Sequence, residues 1–186
     1  VDAVHQMLHK IARRVGVGDD AAKGVQYLAN KIGQDSHKFA IHCKGHALAA
    51  WNCQADPPRA LCYVTSNRGA CHLNGTDTVE QNDRTLADSI GVCLIGYGKY
   101  GKDQLAEILE AITPRGWSAD EYHMAGERVF NLEKCFNYRE GFRRPDDEIA
   151  DRFFEEPYTE GPKAGAVLNR EEFEQLKTAY YKQSGW

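Results

Sequence analysis

The stretch that decides the fold lies at residues 118–139 and reads SADEYHMAGERVFNLEKCFNYR. Ser118 and Glu121 have the spacing of a capping box, in which each side chain accepts the other residue's backbone N–H at a helix N-terminus. Apolar residues follow every three or four positions, at Ala125, Val129, Leu132 and Phe136. This period puts them on one face, so the stretch predicts a long amphipathic helix.

Working outward, caps and apolar periods of the same kind recur along the chain. They predict helices carrying Val4-Leu8-Ile11-Val15, Val25-Leu28-Ile32, Leu105-Ile108-Leu109-Ile112, Ile149-Phe153 and Phe173-Leu176-Tyr180. Expected N-terminal residues are Asp19 or Asp20, Pro58, Pro145 and Asn169, and expected stops are Gly16, Gly33 and Pro114. The fold is therefore predicted to be mainly α, a compact multi-helix body.

Other stretches are predicted to be irregular. The polar run at 74–83 suggests a loop, after which a helix resumes near Arg84 and carries Leu86, Ile90 and Cys93. That helix is broken by glycines at Gly96, Gly98 and Gly101. Residues 34–57 are expected to be irregular, with a brief strand at 39–41.

Composition excludes several classes of function. The 186 residues are 42% hydrophobic and 27% charged, which is enough for a packed core. The net charge of −4 and the shortness of the basic clusters argue against nucleic acid. No apolar run reaches the roughly 20 residues of a membrane span, and the N-terminus does not have the pattern of a signal peptide. A chain that starts without Met, directly in a helical pattern, is expected to be one piece of a longer protein.

Six cysteines lie at 43, 53, 62, 71, 93 and 135, and none forms a C-x-x-C pair. A self-contained zinc ribbon or ferredoxin-like cluster is therefore not expected. Most are expected to be buried as small hydrophobic residues. In His42-Cys43-Lys44-Gly45-His46 the residue types could ligate zinc, but a plain loop is the preferred interpretation.

Two stretches could carry chemistry. TSNRGACHL at 65–73 offers a fixed cation at Arg68, close backbone approach at Gly69 and a proton carrier at His72. DSIGVC at 88–93 offers an acceptor at Asp88 and a thiolate at Cys93, roughly 140° apart if both lie on one helix. Taken singly, a polar helix end, a buried thiol and ordinary helix ion pairs explain these residues and the 126–142 stretch as well.

Together and in order, these stretches resemble the aldehyde:ferredoxin oxidoreductase family. The similarity rests on TSNRGACHL, on DSIGVC as a variant of the D-x-x-G-L-C motif, on GERVFNLEK (126–134) and FNYREGF (136–142), and on the C-terminal segments from Asp146 onward. It covers nearly the whole chain. The resemblance implies that residues 1–41 end one helical domain and residues 42–186 form the C-terminal helical domain.

The family implies a tungsten (or molybdenum) ion between two pterin dithiolenes beside one [4Fe–4S] cluster, oxidation of aldehydes to carboxylic acids, and ferredoxin as electron acceptor. By this resemblance Cys93 is a cluster ligand, and Arg68, Gly69, Asn74, Asp88 and Val92 contact the cofactor. His72 is the catalytic proton donor or acceptor near the metal. A homo- or hetero-oligomer and a cytoplasmic location are also expected.

This sequence departs from the family pattern. The other three cluster cysteines, in a C-x-x-C-x-x-x-C group, and the N-terminal pterin-binding β domain do not occur in it. A missing N-terminal portion or a partner subunit is expected to supply them, and the chain is not expected to be active alone. Val92 replaces the usual Leu, and the 72–88 segment is short. The alternatives are a variant enzyme such as a tungsten-dependent aromatic acyl-CoA reductase, and a helical interaction module without metal.

Overall fold

A computed structural model describes residues 1–97 and 100–186, so Gly98, one of the expected breaking residues, lies outside the described residues. The helices are α1 Asp2–Arg13, α2 Val17–Ala21, α3 Val25–Ile32, α4 Pro57–Thr65, α5 Thr78–Ser89, α6 Leu94–Tyr97, α7 Lys102–Ile112, α8 Ala119–Arg139, α9 Arg152–Glu155 and α10 Arg170–Ser184. Short 3₁₀ turns span Ser36–Phe39 and Arg144–Asp146, and strands β1 His42–Cys43 and β2 His46–Ala47 pair antiparallel. The mainly α prediction is confirmed.

The long helix predicted from residues 118–139 is α8. The Ser118 hydroxyl accepts the Glu121 N–H at 3.2 Å, and the Glu121 carboxylate accepts the Ser118 N–H at 2.9 Å. Both halves of the capping box are thus present, so two donors at the start of the helix are satisfied. Helix α8 packs most extensively on α5, and the two come closest at Gly126.

The loop prediction for residues 74–83 is wrong from Thr78 onward, because α5 begins there. The Asp77 side chain accepts the Glu80 N–H at 2.8 Å and caps the helix. The side chains that face inward are mostly polar, at Gln81, Asn82, Asp83 and Thr85. A helix with such an inner face shows no apolar period, and this explains why the sequence pattern did not reveal it.

Two hydrophobic clusters form the core. One joins α4 and α10 with the segments around residues 43, 149 and 168, and the other joins α5, α7 and α8. A buried polar chain links them: the Tyr180 hydroxyl donates to Gln81 at 2.6 Å, and the Gln81 amide donates to the Thr65 hydroxyl at 2.9 Å. These hydrogen bonds fix the C-terminal end of α4 relative to α5. The candidate site lies at the turn that follows α4 and at the C-terminal end of α5.

Several local predictions are also corrected. Asp19 and Asp20 lie within the short helix α2, whereas α3 begins after Gly24, whose positive φ of 99° turns the chain. The strand expected at 39–41 falls instead at residues 42–43, after a 3₁₀ turn. Ile149 is buried as expected but precedes α9, so it is not on a helix with Phe153.

The apolar stripe of α1 is present but exposed. Val4 and Leu8 are more than half exposed, and no residue of this helix is buried. In the described part of the chain, no helix is both long and apolar enough to cross a membrane.

Candidate functional site

Arg68 is the centre of a polar cluster at the turn that follows α4. Its guanidinium donates to the Asn74 side-chain oxygen at 2.5 Å and lies 3.7 Å from the Asp88 carboxylate. Asn74 is 6% exposed, and its amide nitrogen donates to the Ser66 hydroxyl at 3.0 Å. Three of the expected cofactor residues, Arg68, Asn74 and Asp88, therefore meet at one guanidinium. The buried Asn74 amide fixes its position, and the Arg68 side chain remains half exposed.

Helix α8 holds this turn in place. The Asn67 side-chain amide donates to the Phe130 carbonyl at 2.9 Å and to the Glu133 carboxylate at 3.2 Å. The Asn137 amide in turn donates to the Asn67 carbonyl at 2.8 Å. These contacts give the GERVFNLEK and FNYREGF stretches a physical role, because they fix the backbone beside Arg68.

Gly69 is explained by packing against the β1–β2 hairpin. Its φ of 81° lies in the region that favours glycine. A Cβ at this position would lie 3.2 Å from both the Cys43 carbonyl oxygen and the His46 Cβ. The glycine therefore lets the Arg68 turn lie directly on the hairpin.

Asp88 and Cys93 are separated by a helix end, not joined by a continuous helix. Gly91, with φ 79°, donates its N–H to the Asp88 carbonyl at 3.1 Å, and Val92 donates to the Ala87 carbonyl at 2.9 Å. This pair of bonds is the Schellman motif, so the glycine in D-x-x-G-x-C is a helix terminator. The prediction that Cys93 lies on the helix is wrong. Cys93 comes directly after the turn, and its side chain is exposed.

Val92 packs with its side chain against the α5–α7–α8 cluster. The apolar contact next to the terminating glycine commonly accompanies a Schellman motif. The Val92 side chain supplies this apolar contact, and its backbone N–H is already bonded within the turn.

His72 lies three residues beyond Gly69, beside Trp51. Their ring centroids are 6.2 Å apart with an interplanar angle of 32°. The Arg59 guanidinium donates to the His72 carbonyl and lies 5.0 Å from the centre of the Trp51 ring. The structure thus gives His72 an aromatic and cationic neighbourhood that adjoins the Arg68 turn in sequence.

The other cysteines differ from Cys93 in their surroundings. Burial raises the pKa of Cys43 and Cys62 to about 11 and that of Cys53 to about 12, so these thiols stay protonated at neutral pH. Cys71 is half-buried and its sulfur lies 3.4 Å from Arg68, whereas Cys135 is exposed on α8. Burial is confirmed for half of the six cysteines, fewer than expected.

The His42–His46 segment is a hairpin, not a plain loop. Cys43 pairs with His46, and His42 pairs with Ala47, so the histidines do not have helical i, i+4 geometry. Burial lowers the pKa of His42. Among the described residues no group of three or more His, Cys, Asp or Glu side chains is arranged to hold a metal ion.

The sequence pattern missed Ser66 and Trp51. Ser66 orients Asn74 and accepts the Arg68 backbone N–H at 3.3 Å, and Trp51 flanks His72. The serine lies within the TSNRGACHL stretch, but its contacts span eight residues and follow only from the folded turn. Trp51 lies in a stretch without regular structure, where no period marks it.

The arrangement is thus a helix-end turn in which a held cation lies 3.7 Å from a carboxylate, with an exposed thiol five residues further along the chain. Over residues 1–186 the chain matches the family model described as "Aldehyde ferredoxin oxidoreductase, domains 2 & 3", and it belongs to this family.

Among its relatives are the tungsten-containing aldehyde ferredoxin oxidoreductases of Pyrococcus horikoshii and Pyrococcus furiosus, each 29% identical over all of this chain and 34% of the relative. A further relative is the aliphatic sulfonate oxidoreductase, WOR-like subunit, of Pyrococcus furiosus, 28% identical over 99% of this chain and 32% of its own length. The chain thus spans about a third of the length of these curated relatives.

Proposed function

We propose that this chain forms the C-terminal helical part of a tungsten-pterin oxidoreductase that oxidises aldehydes to carboxylic acids and passes the electrons to ferredoxin. The observation that carries the proposal is the meeting of Arg68 and Asp88 at 3.7 Å, with the exposed thiol of Cys93 following in the chain just after the turn that ends the Asp88 helix. When bound, the tungsten centre supplies the two-electron chemistry and the [4Fe–4S] cluster carries single electrons.

The residues of this chain fit the tungsten-pterin cofactor and the iron–sulfur cluster in part. Arg68 supplies a fixed positive charge for the anionic cofactor, and Asn74 and Ser66 hold its guanidinium in position. Asp88 offers carboxylate oxygens that can accept hydrogen bonds from the pterin ring, since 43% of its side chain is exposed. Gly69 and Val92 contribute backbone close to the cofactor.

Cys93 fits the role of one cluster ligand. The Cys93 thiol is exposed and can be reached by a cluster, whereas burial raises the pKa of Cys43, Cys53 and Cys62 and keeps those thiols protonated. A cubane cluster needs four ligands. We propose that the other three come from the N-terminal portion or from a partner subunit, which also carries the pterin-binding β domain.

His72 is proposed as the group that takes or gives a proton beside the substrate, since an imidazole ring offers both a donor and an acceptor nitrogen. We also propose that residues 1–41 end the preceding helical domain, that the mature enzyme is cytoplasmic, and that it works as an oligomer. The exposed apolar stripe of α1 is consistent with a covered position in a larger assembly.

Replacement of Cys93 tests the proposal. In the natively purified enzyme that contains this chain, Cys93→Ser is expected to lower the iron content from about four per chain to near zero, because a cubane that lacks one thiolate is labile. Iron analysis and the electron paramagnetic resonance signal of the reduced protein measure this loss. Aldehyde-dependent reduction of ferredoxin should disappear with it.

The matched control is Cys135→Ser, which removes the other exposed thiol and should leave iron, signal and activity unchanged. If Cys93→Ser retained its iron and its signal, Cys93 would not be a cluster ligand and the proposed role of this turn would be wrong.

A further inference from the structure

A basic cavity of about 220 Å³ lies between the C-terminal end of α8, residues 142–147 and the end of α10, and it shares Asn137 with the contacts that hold the Arg68 turn. Its polar lining consists mainly of four cations and one carboxylate, from Lys44, Lys134, Arg143, Arg144 and Asp147. None of Arg68, His72, Asp88 or Cys93 lines it. The proposed function makes no use of this cavity.

The charges in the basic cavity do not balance. Asp147 is 1% exposed and lies 2.5 Å from the Lys44 ammonium and 3.1 Å from that of Lys134. Within the described ranges, neither the Arg143 nor the Arg144 guanidinium has a carboxylate within 4 Å. The buried Lys44 and Lys134 ammonium groups thus share the Asp147 carboxylate, whereas the Arg143 and Arg144 guanidinium groups at the exposed side of the cavity can contact an anionic ligand.

Both arginines are held in place by neutral groups. Arg143 donates to the Phe142 carbonyl at 2.8 Å, and its guanidinium carbon lies 3.7 Å from the centre of the Tyr138 ring. Arg144 donates to the Thr178 hydroxyl at 2.7 Å and lies 5.0 Å from the Tyr181 ring. Such contacts orient a guanidinium but leave its charge uncompensated.

The remaining wall of the basic cavity is aromatic. Tyr138, Phe142, Tyr181 and Trp186 line it, so flat apolar surfaces adjoin the cationic groups. The volume is below the roughly 300–1,000 Å³ of drug-sized sites, which restricts a ligand to about one ring. The chemistry of the lining therefore matches a flat apolar body that carries one anionic group.

We propose that the basic cavity binds a small aromatic monocarboxylate, whose carboxylate contacts Arg143, Arg144 and Lys134 and whose ring lies against Tyr138 and Trp186. Guanidinium groups suit this ligand because their planar N–H pairs match the two carboxylate oxygens. Inorganic phosphate would satisfy the charge but leave the aromatic wall without a partner.

Isothermal titration of benzoate into the purified protein that contains this chain tests the proposal. Saturable binding is expected, and Arg143→Gln and Arg144→Gln should each weaken it by about tenfold through loss of a charge-assisted contact. Both residues are exposed, and among the described residues neither guanidinium pairs with Asp147, so the variants should fold. Arg139→Gln, at the same end of α8 but outside the cavity, is the matched control and should bind like wild type.

The titration measures benzoate binding, which does not depend on metal content. A chain that proved not to be part of an oxidoreductase could therefore still bind benzoate, and the two proposals can fail separately. Benzoate bound at an oxidation site instead would be weakened by His72→Asn and unaffected by Arg144→Gln, and this result would overturn the proposal. Absence of benzoate binding, or phosphate binding that benzoate does not compete with, would overturn it as well.

Discussion

Asp147→Asn is expected to lower the free energy of unfolding by about 3–5 kcal/mol, because it removes the carboxylate that, in the described part of the chain, pairs with two buried ammonium groups. The Lys44 and Lys134 side chains are only 6% and 15% exposed, so water cannot replace the lost charge. Asp147 also accepts a hydrogen bond from the Tyr181 hydroxyl, and its carbonyl accepts one from Lys177 at 3.0 Å. The aspartate thus joins the β1–β2 hairpin, α8 and α10. Burial already lowers the pKa of Lys134, the direction expected of an ammonium that has lost solvation.

Chemical denaturation of the wild type and the variant measures the loss. Asp151→Asn is the matched control: its carboxylate is 72% exposed and pairs with Arg170 at the surface, where such pairs contribute roughly 0–1 kcal/mol. Equal stability of the two variants would mean that the buried pairing around Asp147 does not stabilise the fold.

Gly126→Ala is expected to destabilise the protein by about 3 kcal/mol, since it inserts a methyl group where α8 lies directly against the backbone of α5. A Cβ at this position would lie 2.0 Å from the Asn82 carbonyl oxygen and 2.7 Å from its carbon. Both are backbone atoms of α5, so no side-chain rotation relieves the overlap. The helices would have to separate, and α5 carries Asp88 and ends at the turn before Cys93. We therefore expect the variant to lose stability and cluster iron together.

Gly96→Ala provides the comparison, because a Cβ there meets no atom of the described residues within 4 Å. An alanine at an open helical position changes stability by roughly 1 kcal/mol or less, in the stabilising direction. If Gly126→Ala unfolded at the same denaturant concentration as wild type, the tight contact between α5 and α8 would not exist in the protein.

Local signals in the sequence predicted much of the fold. The capping box at Ser118, the cap at Asn169 and the stop at Gly33 all occur where expected, because each depends on a few neighbouring residues. Helix α5 was missed in its first half, since its buried face is built from Gln81 and Asn82 instead of apolar residues. That face is stabilised by hydrogen bonds to residues distant in sequence, and such bonds leave no periodic pattern in the local sequence.

The candidate site divides in the same way. The stretches around Arg68 and Asp88 were identified, and the fold brings these two side chains to 3.7 Å. The helical relation assumed for Asp88 and Cys93 failed because Gly91 takes a positive φ and ends α5. Trp51 beside His72, and the charge surplus around Asp147, arise from pairs distant in sequence.

The most direct test of the central claim is metal analysis of the anaerobically purified native protein, with intact mass measured on the same sample. We expect tungsten and about four irons for each unit that carries Cys93, in an assembly that contains more than this 20.9 kDa chain. A native 20.9 kDa species that contains neither metal would contradict the account and would favour a helical interaction module.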